Sequence, residues 1–156
     1  MAERRGDRGR PADDERTDGG PDVTTLALLT TALLFGGMVL YSFGFAAFLF
    51  TALPAETAGA TIRRAFPHFY LFVIGAAALA AALLWPQDRT GALLLAAVAA
   101  TTVPTREALM PAINRATDTG ARTRFKWLHG LSVAITLAHI GAAGYVLARF
   151  LPASGA

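Results

Sequence analysis

No cysteine occurs anywhere in the 156-residue chain, which excludes a disulfide framework, a thiolate metal site and a cysteine nucleophile. Charge is scarce as well: charged types make up 16% of the residues, against about 25% in an ordinary soluble domain. Lysine is nearly absent, with one against thirteen arginines, and the arginines form no stripe of the kind that tracks phosphates. The pI near 10.0 therefore gives no support to nucleic-acid binding. Nucleotide-type glycine loops and a G-x-S-x-G serine elbow are missing too. No template for catalysis remains, so an enzyme is not expected.

What charge there is lies mostly at one end. Residues 1–22 carry five arginines and seven acids among Gly and Pro, with almost no large apolar group. Such a segment buries too little to offset its ordering entropy, so it reads as a disordered tail before a domain over 23–153. The apolar run behind it is too long for a signal-peptide core of about 7–15 residues, so it is expected to be retained.

Apolar types reach 54% of the chain, and they fall in four stretches. Residues 26–53 have no ionisable side chain except Tyr41, and 66–85 only His68 and Tyr70. Residues 91–103 are apolar up to Pro104, and 127–151 contain His129, His139, Tyr145 and, near the end, Arg149. A spanning helix needs about 20 apolar residues. The first, second and fourth stretches meet that. The third does so only as a kinked helix continuing through Pro104 to about residue 110. The expected fold is all-α: an integral membrane four-helix bundle, with spans of about 26–53, 66–85, 91–110 and 127–151. Its first partner is the lipid bilayer, and a second copy or another membrane protein is a further candidate.

Helices in lipid associate through small residues that let backbones approach. Gly130, Ala134, Ala138 and Ala142 recur every fourth residue and are expected to form a packing stripe on the last helix. At 100° per residue, His129, Ser132, Thr136 and His139 fall within about an 80° arc beside it. A polar stripe in lipid is expected to face the bundle interior. His139 lies about 15 Å deeper than His129. His68 opens the second span, His129 the fourth, and Arg106 and Glu107 end the third, all towards one side. These four are expected to converge into an interfacial polar cluster able to shuttle a proton, bind an anion or hold a metal. The plainer alternative is that the hydroxyls and imidazoles only hydrogen-bond neighbouring helices.

With four spans both termini share a side. The stretches 54–65 and 104–126, read as loops with 111–126 the longest, carry Arg63, Arg64, Arg106, Arg115, Arg122, Arg124 and Lys126. The positive-inside rule places that face in the cytoplasm of a cell membrane and both termini outside. The five tail arginines pull the other way. Aromatics at Phe66, Phe69, Tyr70, Trp85 and Trp127 have the composition of an interfacial belt.

Two stretches resemble a known family. Leu53-Pro54 with Ala58-Gly59 and Phe66-Pro67-x-Phe69-Tyr70, and then Phe125-x-x-x-His129-Gly130-Leu131-Ser132, are similar to the transmembrane protein 205-like family. The resemblance implies a four-pass membrane domain of unknown function, with Pro67, His129, Gly130 and Ser132 at recurrent positions. Ala27 stands where some relatives have a first-helix histidine, which sets the chain apart from four-helix haem or copper proteins. No cofactor is expected. A haem- or metal-binding redox protein using His68 and His129, and a proton-coupled carrier, stay open as alternatives to a scaffold, subunit or transport-related component.

Overall fold

The computed structural model describes residues 22–151, so the charged tail expected over 1–22 lies outside the described residues except for Asp22. Four helices make up the described chain: α1 Val23–Ala52, α2 Ala55–Leu84, α3 Arg89–Asp118 and α4 Arg122–Ala148. Each is long and apolar enough to cross a bilayer. Short connections join them at 53–54, 85–88 and 119–121, so sequential helices run antiparallel. α2 packs against α1 and α3, and α4 closes the bundle against α1 and α3.

The core follows a seam of alternating three- and four-residue steps. Ala27, Thr31, Leu34 and Met38 are buried on α1, and Val73, Ala77, Ala80 and Leu84 on α2. Leu95, Val98, Thr102 and Thr105 are buried on α3. That spacing brings antiparallel helices together at the shallow angles of a four-helix bundle. Small residues go inside and large ones outside: Ala77 and Ala80 are fully buried, while Leu33, Leu40 and Leu93 are more than half exposed. An exposed leucine surface suits lipid. The Phe72 ring of α2 packs directly on the α1 backbone at Gly37, where a Cβ would stand 2.6 Å from Cε1 of Phe72.

Helix ends follow local chemistry. Leu53 is extended (φ −129°, ψ 154°), as a residue before proline prefers, and Pro54 starts α2. Asp88 caps α3 by accepting from the Gly91 N–H at 3.1 Å. α3 ends in a Schellman arrangement. The Ala121 N–H donates to the Ala116 carbonyl, and Gly120 takes the left-handed conformation at φ +66°.

The boundaries correct the sequence reading in two places. The stretch 54–65 is the first part of α2, and 111–118 belongs to α3, so the expected long basic loop shrinks to 119–121. Proline explains why helix survives there. Pro111 follows directly on a wider turn, closed by the Met110 N–H on the Thr105 carbonyl, five residues back. Pro104 is followed by a π-helical turn, Thr105–Leu109. Thr101, Thr102 and Thr105 return their hydroxyls to the carbonyls of Ala97, Val98 and Thr101 a turn back, which satisfies these hydroxyls within their own helix. α1 carries its own π-helical turn at Leu40–Phe45.

Two further expectations change. Phe69 and Tyr70 do not form an outer belt; they are buried, and the Phe69 ring stacks on Tyr41 at 4.5 Å. Trp85 and Trp127 do stand exposed near helix ends. The small-residue stripe is also on the wrong side for packing within the bundle. Gly130, Ala134 and Ala138 are exposed, only Ala142 is half-buried, and a Cβ on Gly130 would meet nothing within 4 Å. The opposite face of α4 is turned inwards because it carries the hydroxyls and His139, which lipid would leave unsatisfied.

Candidate functional site: a polar-ended cavity between the helices

Between the four helices, towards the basic end, lies a cavity of about 550 Å³. α4 contributes His129, Ser132 and Thr136, and α2 contributes Gly59, Arg63 and Tyr70. α3 adds Asn114 and Thr117, and α1 adds Ser42 with apolar Phe43 and Phe50. Among the described residues lining it, none is acidic and Arg63 is the one with a permanent charge. Arg63 pairs with Asp118 at 2.6 Å, which ties α2 to the end of α3. The His129 ring lies flat against Phe125 one turn earlier, with centroids 5.3 Å apart.

A much smaller void adjoins the cavity. Tyr70 and Thr136 line both, and behind them the void is closed by Thr102, Thr105, His139 and apolar neighbours. Nε2 of His139 is 2.8 Å from the Thr101 hydroxyl. That hydroxyl donates its single proton to the Ala97 carbonyl at 2.6 Å, with the Val98 carbonyl farther away at 3.4 Å. The imidazole is therefore the donor through Nε2, which leaves Nδ1 as the ring nitrogen with a free lone pair.

The seven polar residues singled out in the sequence thus divide. His129, Ser132 and Thr136 share the cavity, and Thr136 also joins His139 at the void. His68 lies elsewhere, exposed in a groove between α1 and α2 beside Tyr41 and Phe72. Arg106 and Glu107 pair with each other on α3 and line neither space. Among the described residues no three of His, Asp or Glu gather in a way that could hold a metal ion, and His68 and His129 do not face a common space that would take a haem. Sequence reasoning missed Arg63 and Asn114, because both fell in stretches read as loops. It also missed the Thr101, Thr102 and Thr105 group, though three hydroxyls spaced on one face of an apolar helix were there to be seen.

Residues 29–122 match the family model described as a domain of unknown function, DUF4149. The chain belongs to this family. The DUF4149 match takes in most of α1, all of α2 and α3, and ends where α4 begins. It therefore covers Arg63, Tyr70, Asn114 and the three α3 threonines, while the α4 side of the cavity lies beyond it. No curated protein matches the chain, and no solved structure does.

The opposite, terminal end is built for anchorage. Arg149 donates to both carboxylate oxygens of Asp88, at 2.6 and 2.8 Å, and Thr24 donates to Gln87 at 2.9 Å. These contacts tie α1 and α4 to the α2–α3 turn. The hydrogen bonds from Arg149, the strongest influence, hold the Asp88 carboxyl below its ordinary value despite partial burial. The same contact raises the Arg149 guanidinium.

Proposed function

We propose that this DUF4149 protein is a non-enzymatic, transport-related membrane component that holds a small amphipathic molecule among its helices. The cavity carries the reading. Its volume is within the roughly 300–1,000 Å³ of small-molecule sites, and its walls are apolar with a few polar groups to orient a ligand. Neither catalysis nor a cofactor has a part in it. The transmembrane protein 205-like resemblance belongs to this proposal: its recurrent His129 and Ser132 both face the cavity. A scaffold or subunit role would use the exposed Gly130, Ala134 and Ala138 face of α4 against a second copy or a membrane partner, and it is compatible with a filled cavity.

The test uses Gly59, which lines the cavity and where an added Cβ meets nothing within 4 Å. The protein is released from nanodiscs of mixed phosphatidylcholine and phosphatidylglycerol and weighed by native mass spectrometry. Incubated with a single-chain lysophospholipid before release, the parent is expected to retain one molecule of it, and Gly59→Phe to lose at least tenfold occupancy while keeping its helical circular dichroism. An empty parent, or equal retention by the folded variant, would overturn the proposal.

A further inference from the structure

Ionisable side chains inside a bilayer are costly and are retained where they pair or meet water. His139 is the deepest one in α4. It stands nine residues from Ala148, about 14 Å, and its partner Thr101 stands twelve from Arg89, about 18 Å. Both distances put the pair near the middle of a hydrocarbon core about 30 Å thick. From the terminal side the ring is sealed by packed apolar residues, including Ala143 and Val146 of α4, Leu95 and Val98 of α3 and Leu34 of α1. From the basic side it is not.

The void beside it measures about 10 Å³, close to the roughly 10–15 Å³ that one water requires on such a measure. Its polar lining is supplied by Tyr70, Thr102, Thr105, Thr136 and His139. Thr102, Thr105 and Thr136 have each donated their hydroxyl proton to a backbone carbonyl, at 2.7, 2.9 and 3.0 Å. Their oxygens therefore keep acceptor lone pairs only, as does Nδ1 of the imidazole. The rest of the lining is apolar, Met38, Phe69, Val73 and Ile135, so a water held there would give its two protons to these few acceptors. Tyr70 and Thr136 also line the large cavity, together with Ser132.

We infer that the void is a one-water site completing a proton path from the basic-side cavity to His139. The path runs from cavity water past Ser132, Tyr70 and Thr136 to the void water and then to the imidazole. In the transfer, an O–H bond of the void water breaks as the N–H bond at Nδ1 forms. The water regains a proton from the cavity side, and Nε2–H stays on Thr101. The product is an imidazolium near mid-membrane, with the balancing hydroxide left in the aqueous phase. Among the described residues no other ionisable group lines the void from α1 or α3. From α2 only Tyr70 does, and α4 presents none besides His139 itself. The inference needs no ligand in the cavity, so it stands or falls separately from the proposed function.

Ring ¹⁵N NMR of the full chain in nanodiscs tests it, with His139→Gln identifying the signal among the three histidines. The His139 ring is expected to exchange its N–H with D₂O, and to shift with pH, in the parent. Tyr70→Phe with Thr136→Val removes the hydroxyls shared by cavity and void, and should slow exchange at least tenfold. A parent ring that neither exchanges nor titrates overturns the proposal, as does a folded double variant exchanging at the parental rate. If the double variant does not fold, the near-isosteric Thr136→Val alone carries the comparison under the same criterion.

Discussion

Asp88 carries more of the bundle's terminal end than any other single side chain. It caps α3 through Gly91, and it receives both arms of the Arg149 fork from the end of α4. Space is tight around it: a Cβ on Gly91 would stand 2.5 Å from Oδ2 of Asp88. Because Arg149 holds the folded-state pKa of Asp88 below the ordinary 3.8, the pair's contribution is fully present above that value. It is lost as pH falls through the lower folded value, since the unfolded chain then binds the proton first. Arg149 is raised and stays charged throughout. Asp88→Asn keeps a good cap but loses the charge, so at pH 7 its Tm in detergent should fall by a few °C. That gap to the parent should close on acidification below 3.8. Asp88→Ala should lose about 1 kcal/mol more, the cap itself. A gap that persists unchanged in acid would show that the ion pair is not its source.

At the scale of elements, α3 shows how a proline-bearing helix is kept continuous. Its five-residue π-helical turn, Thr105–Leu109, lies between Pro104 and Pro111 and holds one residue more than an α-turn would. Removing one residue there should restore i→i−4 bonding and leave Asn114 and Thr117 facing the cavity. Removing one from the regular part rotates everything beyond it by about 100°. Deletion of Ala108 should therefore give folded protein by size exclusion and circular dichroism, and deletion of Ala99 should not; equal behaviour of the two would count against a spare residue in the turn. The span through Pro104 was legible in the sequence because the apolar run is too short alone. The helix beyond it was not, since Arg115, Thr117 and Asp118 look like loop composition until Ile113 and Ala116 are seen to share a packed face. The α4 stripe failed for a different reason. Periodicity shows that two faces differ, but which faces the bundle depended on where His139 could find a partner, and that partner is Thr101 of α3.

For the whole molecule, the number of spans and the all-helical class followed from run length and the lack of charge, while the cavity could not be read, because it depends on how four helices diverge at one end. Sidedness can be argued from the observed ends. Among the described residues the face formed by α1's end, α2's start, α3's end and α4's start carries seven basic side chains, and the terminal face carries Arg89 and Arg149. Folding 55–65 and 111–118 into helices leaves those charges in the half of the bundle opposite the termini, with Arg106 twelve residues before the end of α3, so the bias survives the corrected boundaries. Basic residues near span ends set orientation more strongly than acids do, and Arg149 is further neutralised by Asp88. The tail's five arginines belong to the terminal side and, if all count equally, cancel the bias at seven against seven. The nearest of them, Arg16, is only seven residues before α1, so distance alone does not discount the tail; the seven acids among those arginines do so only weakly. The expected orientation, basic face in the cytoplasm, is therefore one that removing the tail should strengthen. A reporter inserted after Thr119 should read cytoplasmic and one after Ala153 extracytoplasmic. Deleting residues 2–21 should sharpen both signals. A cytoplasmic reading at Ala153 in the tailless chain would reverse the assignment, and with it the side from which protons reach His139.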